Sequence, residues 1–417
     1  MSNTAAAIVT IGDELLIGQV TDTNSGWIAQ RMNELGIDVL RRVAVGDEKN
    51  AIINALDAEL KDASIVIITG GLGPTADDIT KPLLNEYFGG KLVIAEPVLA
   101  HLKELFSRRN RPFLERNMKQ AEVPDVCTVL FNKMGTAPGM WFEKDGKVIV
   151  SLPGVPFEMM HIMKEEVLPR LKKLFTSEPI IHRSVITAGE GESFIAERIS
   201  DIETSLPARI KLAYLPGAGM VRLRLTGRGG AEASLVKDLE HYQHQLAERL
   251  ANVVIATEDI PLEQIVGRWF MANGFTMGMA ESCTGGYVSH HITQVKGSSE
   301  YFKGSIVCYS NEIKEKILGV KKSTIEEFGA VSEETVTEMA RAAIGVLDVD
   351  YSYAVTGIMS EGGESDRLEI GTVWMAVADK TNVVAKKFWF PYDRVRNKEM
   401  AVSMGMLMIW KFINKQL

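Results

Sequence analysis

Residues Thr276 to Tyr287 read TMGMAESCTGGY. The apolar run Thr276 to Ala280 has the length of a short buried strand, and it stops at Glu281-Ser282-Cys283-Thr284 before Gly285-Gly286 open a helical pattern. A strand ending in hydroxyl and thiol groups at a helix start is where α/β proteins place reactive side chains. The helix N-terminus offers unpaired backbone N–H groups and the positive end of a dipole. Those amides are expected to hold the negative charge that develops when Ser282 attacks a substrate. Ser and Thr are also common helix caps, so this corner alone leaves an ordinary strand-turn-helix reading open.

A second stretch, Gly304 to Val320, reads GSIVCYSNEIKEKILGV. It predicts a strand over 305–309, a helix capped by Ser310 or Asn311, and a stop at Gly319. Lys314 then falls in the first helical turn, where the dipole disfavours a cation and the ammonium is expected to lose its proton more easily. A neutral lysine can serve as base to a serine. The plainer alternative is a solvated Lys314 paired with Glu312 or Glu315. Ser282 and Lys314 together, each at a strand-to-helix junction, favour catalysis.

In the N-terminal half, Ser64 to Thr69 (SIVIIT) is strongly β-branched, as a buried parallel strand is. It feeds GGLGPTADDIT, residues 70–80. Gly71, Gly73 and Ala76 match a dinucleotide fingerprint only loosely, Pro74 interrupts the turn, and the GK[ST] of a Walker loop is absent. Asp77 and Asp78 would repel a bare pyrophosphate and make sense with a divalent cation between carboxylate and phosphate. They would equally complement a helix N-terminus, with Thr80 capping a helix whose first turn accepts Pro82. Ala6 to Thr10 is a further strand, followed by Gly12-Asp13-Glu14, and Asn24-Ser25 are expected to cap an amphipathic helix ending at Gly36. Strands alternating with helices imply a parallel sheet with ligands beyond the strand C-termini, so both acidic loops should share one edge. The Gly/Pro-rich loops NKMGTAPG (132–139) and SLPGVPFE (151–158) complete the set.

These segments carry a resemblance. ESCTGG, GSIVCYSNEIKEKILGV, GAVS (329–332), TGI (356–358) and GTVW (371–374) resemble the C-terminal domain of the CinA (competence/damage-inducible protein A) family, a nicotinamide mononucleotide (NMN) deamidase, from about residue 256 onward. The resemblance implies Ser282 as nucleophile, with Tyr309 and Lys314 as proton-transfer partners and Thr356 in the catalytic set. It implies that Thr284, Gly285, Gly286 and Gly357 help to hold substrate and that Arg394 and Arg396, in PYDRVRNKEMA, hold its phosphate, since Arg binds phosphate in bidentate fashion. A cap on the last helix is the alternative for the segment beginning at Asp393. No cofactor is implied for this site. One departure stands out: MSEGGESDRLEIG after TGI places Glu361, Glu364, Asp366 and Glu369, with Arg367, where the family has a small Pro/Gly loop, which would crowd an anionic substrate.

Residues 1–170 likewise resemble the molybdopterin-binding-like N-terminal domain of that family through IGDELLIGQVTDTNS, TGGLGPTADDIT, NKMGTAPGM and LPGVPFEM. That domain is linked to hydrolysis of the ADP-ribose pyrophosphate with a divalent metal (Mg, Mn or Co). The resemblance implies Asp13, Glu14, Asp77 and Asp78 as metal or water-activating residues, and Gly12, Asn24, Gly70, Gly71, Gly73, Thr75 and Gly154 as substrate-binding positions.

Composition adds bounds. With 417 residues, 46% of them hydrophobic, two or three packed domains are expected. A net charge of −8 with scattered basic residues argues against nucleic-acid binding, and no apolar run is long enough to span a membrane. Three cysteines without CxxC spacing fit a reducing cytoplasm and no cysteine zinc site. The fold expected is an α/β chain. A three-layer domain with a mostly parallel sheet (1–172) precedes a small α+β, KH-like module (173–256), in which VRLRLT alternates as a half-exposed strand. An α/β deamidase domain follows (257–417). The expected partners are the small nucleotides NMN and ADP-ribose and a second copy in a homodimer. The alternatives are a non-catalytic nucleotide-binding regulator and a molybdenum-cofactor-related binding protein.

Overall fold

The computed structural model describes residues 4–75, 77–175, 177–360 and 368–417. Glu361, Glu364, Asp366 and Arg367 of the acidic loop lie outside the described residues. The chain divides into two compact units: one comprises 1–182 with 208–210 and 226–239, the other 183–207, 211–225 and 240–417.

The β-branched run at 65–69 becomes strand β3 (Ile65–Thr69), with Ile65 to Ile68 fully buried. It pairs in parallel with β1 (Ala5–Ile11) and β8 (Lys147–Leu152), and β1 pairs in parallel with β2 (Asp38–Val45). An antiparallel edge, β7 (Gly139–Lys144) and β6 (Thr128–Leu130), completes the order β2-β1-β3-β8-β7-β6. Alternate residues feed two cores. Ala6, Ile8, Ile65 and Ile67 face the helices Thr23–Glu34 and Pro156–Ile162, while Ala7, Val9, Val66 and Ile68 face the helices Lys49–Asp62 and Thr80–Tyr87. A sheet buried on both faces must read as continuous hydrophobic strands, and these do. Strands β4 (Leu92–Ile94) and β5 (Glu122–Pro124) form a separate antiparallel ribbon. Thr10, Thr69 and Leu152 lie in register at the C-terminal ends of β1, β3 and β8, so the loops after them share one edge, as expected.

Two helix starts differ from the expected caps. Asp22, not Asn24 or Ser25, caps Thr23–Glu34, its Oδ1 accepting the Ser25 N–H at 2.9 Å; Asn24 sits inside the first turn. Thr80 is the first residue of its helix and makes no cap bond, because it lies buried against Gly71.

Between residues 180 and 256 a four-stranded sheet runs β10-β11-β9-β12, built from β9 (Ile180–Ala188), β10 (Ile210–Gly217), β11 (Met220–Arg228) and β12 (Val254–Ala256). In β11, Val221, Leu223 and Leu225 are buried and Arg222 and Arg224 only partly so, the alternation expected of VRLRLT.

The last sheet runs β14-β13-β15-β16-β17. β13 (Met277–Glu281) pairs in parallel with β14 (Phe302–Val307) and β15 (Tyr351–Gly357); β16 (Thr372–Asp379) and β17 (Val383–Trp389) continue antiparallel. One face is large and sulfur-rich (Met277, Met279, Met375, Tyr353) beneath helices Leu262–Asn273 and Arg394–Ile413. The other is small. Ala280, Ala354, Ala376 and Ala378 lie under the helix Glu333–Leu347, which meets them with Val336, Met339, Ala340 and Ala343. No helix among the described residues is long and apolar enough to cross a membrane.

Candidate active site

Strand β13 is buried up to Glu281, which carries the chain into the turn at Ser282. Ser310 caps the short helix Asn311–Ile313, as expected, through its Oγ and the Ile313 N–H at 3.3 Å. The chain then widens into a π-turn, Lys314–Leu318, closed by Gly319 in the left-handed region. This turn sends the Lys314 side chain inward, where the residue is 1% exposed. Its Nζ donates to Ser282 Oγ and to the Cys308 carbonyl, each at 3.0 Å. The plainer alternative, a solvated Lys314, does not hold: the side chain is buried, and the Glu312 carboxylate pairs with Lys316.

Ser282 and Lys314 open into a cavity of about 460 Å³, also lined by Cys283, Tyr309, Thr356, Gly357, Ser360 and Arg394. Tyr309 is 60% exposed and its hydroxyl accepts from Arg394 Nη2 at 2.9 Å, so it stands at the mouth, hydrogen-bonded to the arginine. Arg394 Nη1 also donates to Ser360 Oγ at 2.9 Å. Arg396 is not among the lining residues; it pairs with Glu399 at 2.7 Å. Asp393 caps the last helix through the N–H groups of Val395 and Arg396. Thr356 lines the wall, but its hydroxyl donates to the Ala330 carbonyl at 2.8 Å, which fixes the wall's position. Burial pushes the Cys283 thiol up to about 12 and the Cys308 thiol up to about 11, so both stay protonated near neutrality.

The helix start differs from expectation. Glu281, fully buried, takes the N–H groups of Gly286, Val288 and Ser289 at 2.9–3.0 Å, and the hydroxyl of Thr284 at 2.7 Å. Ser289 Oγ and Ser305 Oγ add to the same carboxylate. The amides that were to hold substrate charge are thus occupied by an internal carboxylate. Thr284, Gly285 and Gly286 support the cap and do not line the cavity. The Cys283 and Thr284 N–H groups donate to no backbone carbonyl among the described residues. Sequence reading missed Glu281 because a carboxylate at a strand end looks solvated until the turn folds over it.

In the first unit, the loops after β1, β3 and β8 surround a cleft of about 360 Å³. Glu14, Asp47, Asp77, Asp78 and Glu158 line it with Gly12, Gly70, Gly71, Gly73 and Gly154. The glycines are explained first by packing. A Cβ on Gly70, at φ +116°, would collide with the Ile11 carbonyl, and one on Gly71 would collide with Thr80 Oγ1. Asp78 holds the loop itself, accepting from the N–H groups of Gly73 (2.8 Å) and Thr75 (2.9 Å) and from the Thr75 hydroxyl. Asp13 does not line the cleft: it exchanges bonds with Asp47, the Asp13 N–H donating to Asp47 Oδ2 at 3.0 Å and the Asp47 N–H to Asp13 Oδ1 at 3.3 Å.

No three His, Cys, Asp or Glu side chains among the described residues converge into a metal cage. The expected set Asp13, Glu14, Asp77 and Asp78 is therefore not a preformed one, because Asp13 and Asp78 are tied to backbone. What remains is a repelling group. The Asp47 carboxyl is raised above its ordinary range, first by burial and then by the charges of Asp13, Glu14 and Asp77, while the Asp13 N–H opposes the shift. This donor set fits a hard cation that keeps water and takes phosphate oxygens, with one or two carboxylates from protein. Asp47 carried no motif in the sequence; it follows β2 and reaches the site only because β2 neighbours β1. Glu158 was also missed. Burial raises its carboxyl above the ordinary range, against a 2.6 Å hydrogen bond from Asn132 Nδ2 and the charge of Arg109. Asn132 is itself held by the N–H groups of Met134 and Gly135.

Known proteins match each part of this chain. A family model described as "CinA C-terminal domain" matches residues 259–413, "Probable molybdopterin binding domain" matches 7–173, and "Damage-inducible protein CinA KH domain" matches 182–256. A CinA-like protein of Flavobacterium psychrophilum is 42% identical over 412 residues, covering 98% of this chain and 99% of its own length. A CinA-like protein of Salinibacter ruber is 39% identical over 399 residues, covering 95% of this chain and 97% of its own length. Among solved structures, a CinA protein of Thermoplasma acidophilum is 32% identical, covering 42% of this chain and 100% of its own, with a TM-score of 0.37. With relatives of such identity matching along nearly its whole length, the chain belongs to the CinA family.

Proposed function

We propose that the chain is a bifunctional nucleotide hydrolase of pyridine-nucleotide recycling. The C-terminal domain deamidates NMN to nicotinate mononucleotide and ammonia. The observation that carries this reading is the buried Lys314 Nζ 3.0 Å from Ser282 Oγ at a cavity mouth held by Arg394. Lys314 acts in its neutral form, the form that accepts a proton. Lys314 takes the Ser282 proton as Oγ bonds to the carboxamide carbon. It returns that proton to the nitrogen, ammonia leaves, and the nicotinoyl ester remains on Ser282. Water, deprotonated by the same amine, then cleaves the ester and restores Ser282. The N–H group of Cys283, which lines the cavity beside Ser282, is the donor for the oxyanion. Arg394 binds the phosphate as a two-pronged donor.

The N-terminal cleft hydrolyses the ADP-ribose pyrophosphate. A divalent cation held by one or two of the carboxylates Glu14, Asp47 and Asp77 would supply charge neutralisation for the diphosphate there. The Asp47 carboxyl, raised first by burial and then by the neighbouring charges of Asp13, Glu14 and Asp77, supports this reading. The test is direct: incubation with NMN should release ammonia, and incubation with ADP-ribose should release AMP. Ser282→Ala should remove the first product and leave the second. A wild-type protein that binds both nucleotides and yields neither product would make it a binding protein instead.

A further inference from the structure

Beside the acidic cleft lies a second hollow of about 130 Å³, which shares Ile11, Glu14 and Gly154 with it. Asn24 lines this hollow at 9% exposure. Its Nδ2 donates to the Gly154 carbonyl at 2.8 Å and to Thr69 Oγ1 at 3.2 Å. The Thr69 hydroxyl proton is already given to the Pro153 carbonyl at 2.9 Å. Both partners of Nδ2 are therefore acceptors, and the amide cannot be turned over without placing oxygen against oxygen. The orientation leaves Asn24 Oδ1 buried with no donor among the described residues. A buried carbonyl without a donor costs free energy that a ligand hydroxyl would recover. Thr10, Thr21, Thr23 and Glu14 also line the hollow, together with Asp22 and apolar side chains such as Leu15 and Val20, and among the described residues no aromatic ring lines it to stack a base.

We propose that this hollow is a sugar subsite in which Asn24 Oδ1 accepts a hydroxyl of the ribose next to the diphosphate. The inference rests on the nucleotide reading of the cleft and adds the group that selects the sugar. Glu14 stands between the two compartments and is placed to meet both the diphosphate side and the sugar side. Asn24 is thus a specificity residue, and its contribution belongs to binding, not to the chemical step.

The test is calorimetric binding to the full chain with methylene-bridged diphosphates, which cannot be hydrolysed, so that turnover does not enter. The probes are the methylene analogues of ADP-ribose and ADP, and versions of each lacking ribose hydroxyls. In the wild type, removing the recognised hydroxyl should weaken binding about 5- to 100-fold, the range for leaving one buried polar group unpaired. In Asn24→Ala the same removal should cost less than about twofold, since the two losses are one interaction. Thr69→Val removes the Nδ2 partner but leaves Oδ1. It should lower stability while keeping the wild-type discrimination, which separates recognition from support of the loop. Equal losses in the wild type and Asn24→Ala, or discrimination lost in Thr69→Val as well, would overturn the subsite. Failure of the wild type to bind any of the diphosphates would instead overturn the nucleotide reading of the cleft.

Discussion

Arg394 Nη2 donates to the Tyr309 hydroxyl at 2.9 Å, across the mouth of the cavity that holds Ser282. Its other arm reaches Ser360. A guanidinium held by two hydroxyls is kept in place without being neutralised, as a phosphate site requires. Arg394→Ala should raise KM for NMN about 10- to 100-fold with kcat changed much less, the size of one charge-assisted contact. Arg394→Lys should recover only part of this, because Lys cannot make the planar double contact. Arg396→Ala, whose partner is Glu399, should leave KM within about twofold. Steady-state kinetics on the three variants checks the ordering.

Ser282→Ala should lower deamidation by about 10³-fold or more while NMN still binds. Lys314→Arg should be as damaging, since a guanidinium does not accept a proton. Cys283 is adjacent to Ser282, but its thiol is pushed up to about 12, so almost no thiolate exists at pH 7–9. Cys283→Ala should keep most activity, and iodoacetamide at pH 8 should not inactivate the wild type. Rapid alkylation with loss of ammonia release would show the nucleophile to be the wrong residue.

Glu281→Gln should destabilise the C-terminal domain by about 2 kcal/mol or more. The substitution turns one carboxylate oxygen into an NH₂ group that faces N–H and O–H donors. The Ser282 turn that it anchors should move with it, so kcat should fall although Glu281 touches no substrate. Urea unfolding and kcat measured on the same variant test the pairing of the two effects.

Lys81 gives a pH prediction of defined sign. Burial pushes its ammonium down to about 8, against the charges of Glu122 and Asp78. The unfolded chain holds this proton up to about pH 10.4. Between about 8 and 10.4 the unfolded state therefore binds more protons, and stability from this group rises with pH. Below about 8 the penalty is fully present, up to about 3 kcal/mol less what residual solvent screens. The Nζ bond to the Lys119 carbonyl offsets part of it. Relative to Lys81→Met, the wild type should gain in melting temperature from pH 8 to pH 10. A pH-independent gap between the two proteins would contradict the assignment.

Chelation should separate the two activities. EDTA should abolish release of AMP from ADP-ribose and leave release of ammonia from NMN unchanged. Asp47→Asn should cost the first activity and spare the second. Asp78→Asn should behave differently, since Asp78 ties the loop at Gly73 and Thr75: it should lower the stability of the first unit as well as its activity. Product assays with and without added Mg²⁺, alongside a melting curve, distinguish ligand from loop anchor.

The elements legible in the sequence were those with a local signature. SIVIIT announced β3 because continuous β-branched burial has few other uses, and Ser282 and Lys314 each stood at a recognisable strand-to-helix junction. Gly319 was read as the stop, and the cap was narrowed to Ser310 or Asn311, of which Ser310 serves, because capping is a local preference. What escaped depends on chain brought from elsewhere. Asp47 enters the cleft through the pairing of β2 with β1, and Glu158 through the packing of Asn132 and Gly135 around it. Glu281 reads as a polar strand end until the following turn closes over it. The cap at Asp22 instead of Asn24 is a shift of two residues among four polar side chains, any of which could have begun the helix.

The alanine face of the last sheet has a consequence for how this domain can change. Ala280, Ala354, Ala376 and Ala378 set the height of the helix Glu333–Leu347, and the segment leading into that helix supplies Ala330 and Val331 to the cavity wall. Thr356 locks that segment to β15 through the Ala330 carbonyl. Four methyl groups that no ligand meets therefore act as a spacer that gauges the width of the opening. Exchanging one of them for valine would lift the helix and, through Ala330, move the wall without altering any lining residue. Substrate range here can thus drift through the floor of the domain, and a library built on those four positions would explore pocket shapes that mutagenesis of the pocket itself would miss.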